Sequence, residues 1–182
     1  MPNILLLYGT REGQTAKIAR HIETTLEAGG ANVHTVEARR VSEDLRIEAF
    51  DGVIIGSSVH LGKHDAHVVR FVQRHRADLE QLPTAFFSVS LSAAGDTPES
   101  KRDVDHLLEA FTRETGWHPV TVNAIAGALL YTQYNPLLRF IMRRKAAHYS
   151  DDVDTSRDYE YTDWDGVTAF GSAMLEQIEE RA

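Results

Sequence analysis

The sequence predicts a doubly wound α/β fold, with helices on both faces of a five-stranded parallel sheet and a single domain over residues 1–182. Short apolar runs alternate with amphipathic helical patterns, which is typical of βαβ units. The strand-like runs are apolar at nearly every residue, as expected when helices cover both faces of a sheet. No repeat or linker divides the 182 residues, and a chain of that length can bury a sizeable core.

The first half of the chain contains three predicted strands and two predicted helices. We expect strands at residues 4–8, 33–36 and 52–56, and a first helix at residues 14–28. Gly29 and Gly30 should end this helix, because glycine readily adopts the conformation that follows a helix C-terminus. Asp65 should begin the second helix, since its carboxylate can accept from the unpaired N–H groups of the first turn.

The second half continues the alternation and then departs from it. We expect a strand at residues 85–91, a helix beginning at Thr97 with Pro98 behind it, and a fifth strand at residues 119–128. The last helix should be capped near Thr162 or Asp163. Residues 129–159 form an insertion before that helix, and insertions of this length in compact domains are usually functional or disordered.

Composition excludes several classes of function. The net charge of −8 gives no support to nucleic-acid binding, and the absence of cysteine excludes thiol catalysis, disulfides and iron–sulfur sites. Without a signal-peptide pattern or a membrane-spanning apolar stretch, we expect a cytoplasmic protein. His60, His64 and His67 lack a clear carboxylate partner, so no metal site is predicted. No residue stands out as a catalytic acid or base.

A glycine-containing loop separates the first strand from the first helix. Its residues are Thr10, Arg11, Glu12, Gly13, Gln14 and Thr15. The free N–H groups and the positive dipole at a helix N-terminus attract anions, and glycine lets the backbone approach them closely. The threonine hydroxyls add donors. The pattern predicts a phosphate-binding loop, and the alternative is a capped turn that binds nothing.

Two further small, polar loops should lie beside the first, because ligands in open α/β sheets bind at the carboxyl ends of the strands. One of these two loops follows the third strand and comprises Ser57, Ser58, Val59, His60, Leu61 and Gly62. The other follows the fourth strand and comprises Ser90, Leu91, Ser92, Ala93, Ala94 and Gly95. These loops can flank a planar ring. Neither contains Phe, Tyr or Trp, which leaves room for a substrate to stack unless Tyr131 or Tyr134 covers the ring instead.

The three loops together resemble those of flavodoxin-type FMN domains, whose phosphate loop is of the Ser/Thr-x-Thr-Gly-x-Thr type. Glu12 departs from that pattern. A carboxylate at this position, together with segments such as 55–58, 125–129 and 161–164, resembles the menaquinone-dependent protoporphyrinogen oxidases. The resemblance implies FMN, protoporphyrinogen IX as the substrate in haem biosynthesis, and menaquinone or another quinone as the acceptor. A flavodoxin-like electron carrier, an NAD(P)H:quinone reductase and an FMN-free interaction domain are the alternatives.

The insertion carries a basic helical pattern at residues 136–145. Leu137, Leu138 and Ile141 share one side of the helical wheel, while Arg139 and Arg143 share the other. Residues 136–149 could therefore contact an anionic membrane surface, or Arg139 and Arg143 could bind the substrate's propionates. The resemblance extends to Tyr131 and Tyr134, which we also expect to bind substrate. The alternative is a docked helix with a solvated basic face.

Overall fold

A computed structural model describes residues 1–147 and 154–181 and contains the predicted alternation of strands and helices. The strands are β1 (Asn3–Gly9), β2 (Asn32–Glu37), β3 (Gly52–His60), β4 (Lys63–His64), β5 (Thr84–Ser90), β6 (Thr121–Ala126), β7 (Ala128–Leu129) and β8 (Tyr159–Glu160). The helices are α1 (Gln14–Ala28), α2 (Ala66–Leu79), α3 (Pro98–Thr115), α4 (Pro136–Ala146) and α5 (Trp164–Glu179).

The main sheet confirms the predicted fold. Five parallel strands lie in the order β2-β1-β3-β5-β6. The order reverses at β1, which has β2 on one side and β3 on the other. The carboxyl ends of β1 and β3 are in register, with Gly9 opposite Ser57. This is the switch point at which open α/β sheets bind ligands.

Helices cover both faces of the sheet, as the apolar strands predict. Ile4 and Leu6 of β1 point to a core shared with α1 and α5, whereas Leu5 and Leu7 point to a core shared with α2 and α3. In the second core the ring of Phe86 stacks on that of Phe111 with centroids 4.1 Å apart. The two cores fix the strand ends and so position the loops at the switch point.

The third strand is longer than predicted. Ser57, Ser58 and His60 are polar and look like a loop, yet β3 continues to His60 and pairs antiparallel with β4. Leu61 and Gly62 form the turn between them, with φ values of 50° and 78°. Positive φ at both central positions is the pattern of the type I′ hairpin turn, which matches the twist of its strands. The prediction of a loop beginning at Ser57 was therefore wrong.

The fifth strand is shorter than the predicted span of 119–128. It ends at Ala126, and Gly127 then donates its N–H to the carbonyl of Ser90 over 3.1 Å. The carbonyl of Gly127 accepts from the backbone N–H of Tyr161, also over 3.1 Å. Beyond Gly127 the chain pairs β7 with β8 in a separate two-stranded ribbon. The insertion thus leaves and rejoins the domain at one place.

The insertion has a small core of its own. Leu129, Tyr131, Tyr134 and Ala146 are buried there. Within the predicted insertion, residues 148–153 lie outside the described residues, and so do positions 148 and 149 of the predicted membrane segment. Among the helices that the structure describes, none is long and apolar enough to cross a membrane.

Candidate functional site

A cavity of about 440 Å³ opens where the ends of β1, β3 and β5 meet. It collects residues from all three predicted loops, from α3 and from the insertion. Its lining comprises Thr10, Arg11, Glu12, Gln14, Thr15, Ser58, Val59, His60, Leu61, Gly62, Val89, Ser90, Leu91, Ser92, Asp103, His106, Leu107, Gly127, Ala128 and Met142.

The phosphate loop is shaped by Gly13, which precedes α1 with φ 95°. This left-handed conformation is one that side chains other than glycine rarely adopt. The backbone N–H of Gly13 donates to the Thr10 hydroxyl over 3.0 Å, and its carbonyl accepts from the N–H of Lys17 over 3.1 Å. The first turn of α1 therefore begins inside the cavity, with its dipole directed at the site.

Two buried polar atoms in this loop have no hydrogen-bond partner among the described residues: Oγ1 of Thr15 and Oε1 of Gln14. Buried polar atoms are normally paired, and both of these residues line the cavity, so a ligand group bound there can supply the missing partners. The Thr15 hydroxyl can donate to a phosphate oxygen, and the Gln14 oxygen can accept from a ligand hydroxyl. The loop thus fits a phosphate ester that carries hydroxyl groups.

Gln14 is held by contacts on its other side. Its Nε2 donates to the Thr162 hydroxyl over 2.9 Å, and that hydroxyl donates to the carbonyl of Ala126 over 2.7 Å. This chain of hydrogen bonds connects the start of α1 to the end of β6. The free oxygen of Gln14 is therefore presented in a fixed orientation.

The two loops beside the phosphate loop hold one aromatic ring among the described residues, the imidazole of His60. Ser58–Gly62 on one side and Ser90–Ser92 on the other provide small, apolar or polar side chains, and the lining set contains no Phe, Tyr or Trp. Neither Tyr131 nor Tyr134 contributes to the lining. Their placement gives no support to the alternative in which one of them covers the ring.

Several predicted binding residues lie outside the lining. They are Gly13, Ser57, Ala93, Ala94 and Gly95. The Ser57 hydroxyl accepts from the backbone N–H of Asp65 over 3.0 Å and thereby attaches the end of β3 to the start of α2. Ala93 and Ala94 belong to a short 3-10 turn, in which the Ala93 N–H approaches the Ser90 hydroxyl at 3.3 Å. These residues therefore contribute to the conformation of the loops without contacting the cavity.

Sequence reasoning missed one wall of the cavity. Asp103, His106 and Leu107 come from α3, and the sequence singled out none of them as a site residue. Met142 comes from α4, and Gly127 and Ala128 follow the fifth strand. The sequence did offer one signal. Helix α3 begins directly after the loop at residues 90–95, so the first turns of α3 must pass the same edge of the sheet.

The four predicted substrate residues are all outside the cavity lining. Tyr131 is fully buried in the insertion core. Arg139 donates from Nε to the carbonyl of Tyr131 over 3.1 Å and from Nη2 to that of Tyr134 over 3.2 Å. Arg143 is exposed on α4. Tyr134 reaches the site indirectly, because its hydroxyl donates to Oε2 of Glu12 over 2.8 Å.

The three histidines with metal-like spacing are dispersed. His60 lines the cavity, whereas His64 is buried behind it and its Nε2 lies 2.9 Å from the Ser88 hydroxyl. Burial lowers the pKa of His64 to about 4, so it is neutral at pH 7. His67 lies on the exposed side of α2. Over residues 1–147 and 154–181, no group of side chains forms a metal site.

Comparisons with known proteins agree with this geometry. The flavodoxin-domain family matches residues 5–156. The protoporphyrinogen IX dehydrogenase [quinone] of Escherichia coli K12 is 32% identical over 167 residues, which cover 91% of each chain. The Leishmania major protein of the same name is 29% identical over 94% of this chain and 74% of its own. Oxidised flavodoxin 1 of Bacillus cereus shares the fold, with 15% identity, a TM-score of 0.52 and coverage of 96% and 97%.

The family match confirms the predicted FMN cofactor. The site fits it, since the unpaired Thr15 hydroxyl and the start of α1 suit a phosphate and the uncovered walls leave space for a ring. The chain belongs to the flavodoxin-domain family, together with the quinone-type protoporphyrinogen IX dehydrogenases.

Proposed function

We propose that this protein oxidises protoporphyrinogen IX to protoporphyrin IX in haem biosynthesis, with FMN as cofactor and a quinone, specifically menaquinone, as electron acceptor. The observation that carries the proposal is the 32% identity to the E. coli protoporphyrinogen IX dehydrogenase over 91% of both chains. FMN, when bound, supplies two-electron chemistry, so three successive two-electron oxidations, each passing its electrons to one quinone, account for the six electrons and six hydrogens that the substrate loses.

The chain's own residues bind and orient the reactants. In this proposal Thr10, Thr15 and the first N–H groups of α1 hold the phosphate, while Ser58–Gly62 and Ser90–Ser92 hold the ring system. Val59, Leu61, Leu107 and Met142 then provide an apolar wall against which a macrocycle can pack.

The substrate's propionates need cations, and the structure offers two candidates near the cavity. Arg11 lines the cavity and is exposed, and Arg143 is exposed on the neighbouring helix α4. Either guanidinium can bind a carboxylate bidentately. Arg139 and Tyr131 would contribute by shaping the insertion, because the guanidinium of Arg139 donates to backbone carbonyls there.

We also propose that α4 rests on the cytoplasmic face of a membrane, where a lipid-soluble quinone can reach the cavity. Leu138 and Met142 face the insertion core, while Leu137 and Phe140 are 72% and 58% exposed. The guanidinium carbon of Arg144 lies over the exposed Phe140 ring, 6.0 Å from its centroid. Apolar residues flanked by arginine are typical of helices that lie on anionic bilayers.

Anaerobic turnover tests the activity. Purified holoprotein mixed with protoporphyrinogen IX and a menaquinone analogue should produce protoporphyrin fluorescence at a rate that depends on the analogue. An electron carrier would show no turnover. An NAD(P)H:quinone reductase would consume nicotinamide cofactor and leave porphyrinogen unchanged. Either outcome would contradict the proposed substrate.

Vesicle sedimentation tests the membrane surface. The protein should sediment with vesicles that contain anionic lipid, and a double variant Leu137→Ser, Phe140→Ser should remain in the supernatant. Val122→Ser is the matched control, because Val122 is also exposed (46%) but lies on β6. Equal sedimentation of both variants would contradict the assignment of the surface to α4.

A further inference from the structure

The phosphate loop contains a carboxylate that its ligand should disfavour. Glu12 lies between Thr10 and Gly13 and lines the cavity. A phosphate monoester carries a charge of about −1.5 to −2 near neutral pH, and like charges at short range in a partly buried site repel. The loop can hold phosphate well only if this carboxylate is turned away and paired with a donor.

The donor is Tyr134 of the insertion, 122 residues away in the sequence. Its hydroxyl donates to Oε2 of Glu12 over 2.8 Å and accepts from the backbone N–H of Leu130 over 3.3 Å. Burial, and then the neighbouring Glu12 carboxylate, raise the pKa of Tyr134. The hydroxyl therefore keeps its proton and remains a donor throughout the physiological range.

The position of Tyr134 is itself set by the folded insertion. Its side chain is only 5% exposed and its ring packs edge-to-face against Tyr131, with centroids 6.0 Å apart. Its carbonyl accepts from Nη2 of Arg139 over 3.2 Å. The phenol can reach Glu12 only when these contacts place it, so the state of the insertion decides whether the carboxylate has its donor.

We propose that Tyr134 is a positioning residue of the FMN phosphate site, which holds the Glu12 carboxylate toward the insertion and thereby couples FMN binding to docking of the insertion. The coupling is reciprocal, as any coupling between two binding equilibria must be. A bound phosphate favours the loop with Glu12 turned toward Tyr134, and a docked insertion favours the loop that accepts phosphate. The proposal depends on FMN and not on porphyrinogen, so it can fail while the proposed function stands.

Affinity measurements with two flavins test the coupling. Apoprotein is titrated with FMN and, separately, with riboflavin, which has the same ring system without the phosphate. Tyr134→Phe removes the donor and should weaken FMN binding about tenfold or more, the effect of losing a hydrogen bond to a charged group. Riboflavin binding should change by less than about twofold, because no phosphate is present to meet the carboxylate.

A second substitution provides the rescue. Glu12→Gln removes the charge and keeps the shape, so the double variant Tyr134→Phe, Glu12→Gln should recover most of the FMN affinity. Tyr159→Phe is the matched control, because it also removes a tyrosine hydroxyl from the insertion. That hydroxyl accepts from Nε of Arg157 and does not contact the phosphate loop. The Tyr159→Phe substitution should leave both affinities unchanged. Equal loss of FMN and riboflavin affinity in Tyr134→Phe, or no recovery in the double variant, would overturn the proposal.

Hydrogen exchange tests the reciprocal direction without any turnover assay. Adding FMN to the wild-type apoprotein should slow exchange of the backbone amides of residues 129–147. The same addition to Tyr134→Phe, at a concentration that saturates the site, should slow them much less. If saturating FMN protects the insertion equally in both proteins, docking does not depend on the Tyr134–Glu12 contact and the proposal is wrong.

Discussion

The sheet and the insertion meet at the cavity, but they are stabilised in different ways. The sheet lies between two extensive apolar cores, and its central strand β5 is buried at every residue. In its described part, the insertion buries only a small cluster and relies on polar contacts to its own backbone. Arg139 donates to two carbonyls, and Asp158 accepts from both the N–H and the hydroxyl of Thr132.

This difference separates two tasks. Regions with few buried apolar contacts open at lower free energy than the global unfolding transition. We therefore expect the sheet to determine whether the protein folds and where the cofactor's atoms lie, while the insertion opens and closes on a folded domain. Substitutions in the two regions should accordingly fail in different experiments.

Truncating a buried ring in each region should show the largest contrast. Phe111 is 1% exposed and stacked on Phe86, so Phe111→Ala should lower the free energy of unfolding by about 3–5 kcal/mol. Tyr131 is fully buried in the insertion, yet Tyr131→Ala should leave the global transition nearly unchanged and speed hydrogen exchange only around it. Urea denaturation and exchange mass spectrometry measure the two effects. A large fall in global stability in Tyr131→Ala would show that the insertion is part of the main cooperative unit.

Acid should act on the sheet through His64. Its folded-state pKa of about 4 lies below the ordinary histidine value of 6.5, so between these values the unfolded chain binds a proton that the folded protein excludes. Stability from this group is complete above pH 6.5 and falls as the pH drops, by about 3 kcal/mol at pH 4. Denaturation from pH 7 to pH 5, where most carboxylates remain ionised, isolates this contribution.

The variant His64→Asn should be less stable than the wild type at pH 7, but its free energy of unfolding should not fall between pH 7 and pH 5. His118→Asn, which changes an exposed histidine, should show the same fall as the wild type. A wild-type stability that stays constant between pH 7 and pH 5 would contradict the exclusion of a proton from His64.

A smaller effect should separate the phosphate loop from the rest of the chain. Gly13 and Gly30 have φ values of 95° and 93°, and a Cβ on either would meet nothing within 4 Å. Valine at either site should cost at least about 1–2 kcal/mol in backbone strain. Gly13→Val should also lose its yellow colour on gel filtration, whereas Gly30→Val should retain flavin. Full retention of flavin by Gly13→Val would contradict the phosphate-loop assignment.

The elements that the sequence predicted correctly are those specified locally. Apolar periodicity identified the five strands of the main sheet. Asp65, Thr97 and Asp163 do cap their helices, because each side chain accepts from first-turn N–H groups two or three residues further along the chain. The phosphate loop and the loop after β5 follow from the same pattern, because the carboxyl ends of parallel strands lie at one edge of the sheet. Most residues of the predicted loops line the cavity. The position of a loop at the carboxyl end of a parallel strand therefore predicts much of the cavity wall.

What the sequence could not supply depends on long-range contacts. Ser57 and Ser58 are strand residues because neighbouring strands pair with them: β1 and β5 at Ser57, and β5 at Ser58. The contribution of α3 to the cavity wall depends on the rotation of this helix about its own axis. The apolar pattern of the helix is compatible with more than one such rotation. The contact between Glu12 and Tyr134 joins segments that no local pattern relates. The one sign of this contact in the sequence was Glu12, a carboxylate at a position where the flavodoxin pattern has a hydroxyl.

Leu61 illustrates how stability and activity can favour different residues at one position. It is the one non-glycine residue with positive φ in the described ranges 1–147 and 154–181, and it is 62% exposed at the cavity wall. Glycine there would relieve about 1–2 kcal/mol of strain, and it would remove apolar surface that the proposed macrocyclic substrate needs for packing. Directed evolution for heat resistance should therefore replace Leu61, while directed evolution for turnover should retain it.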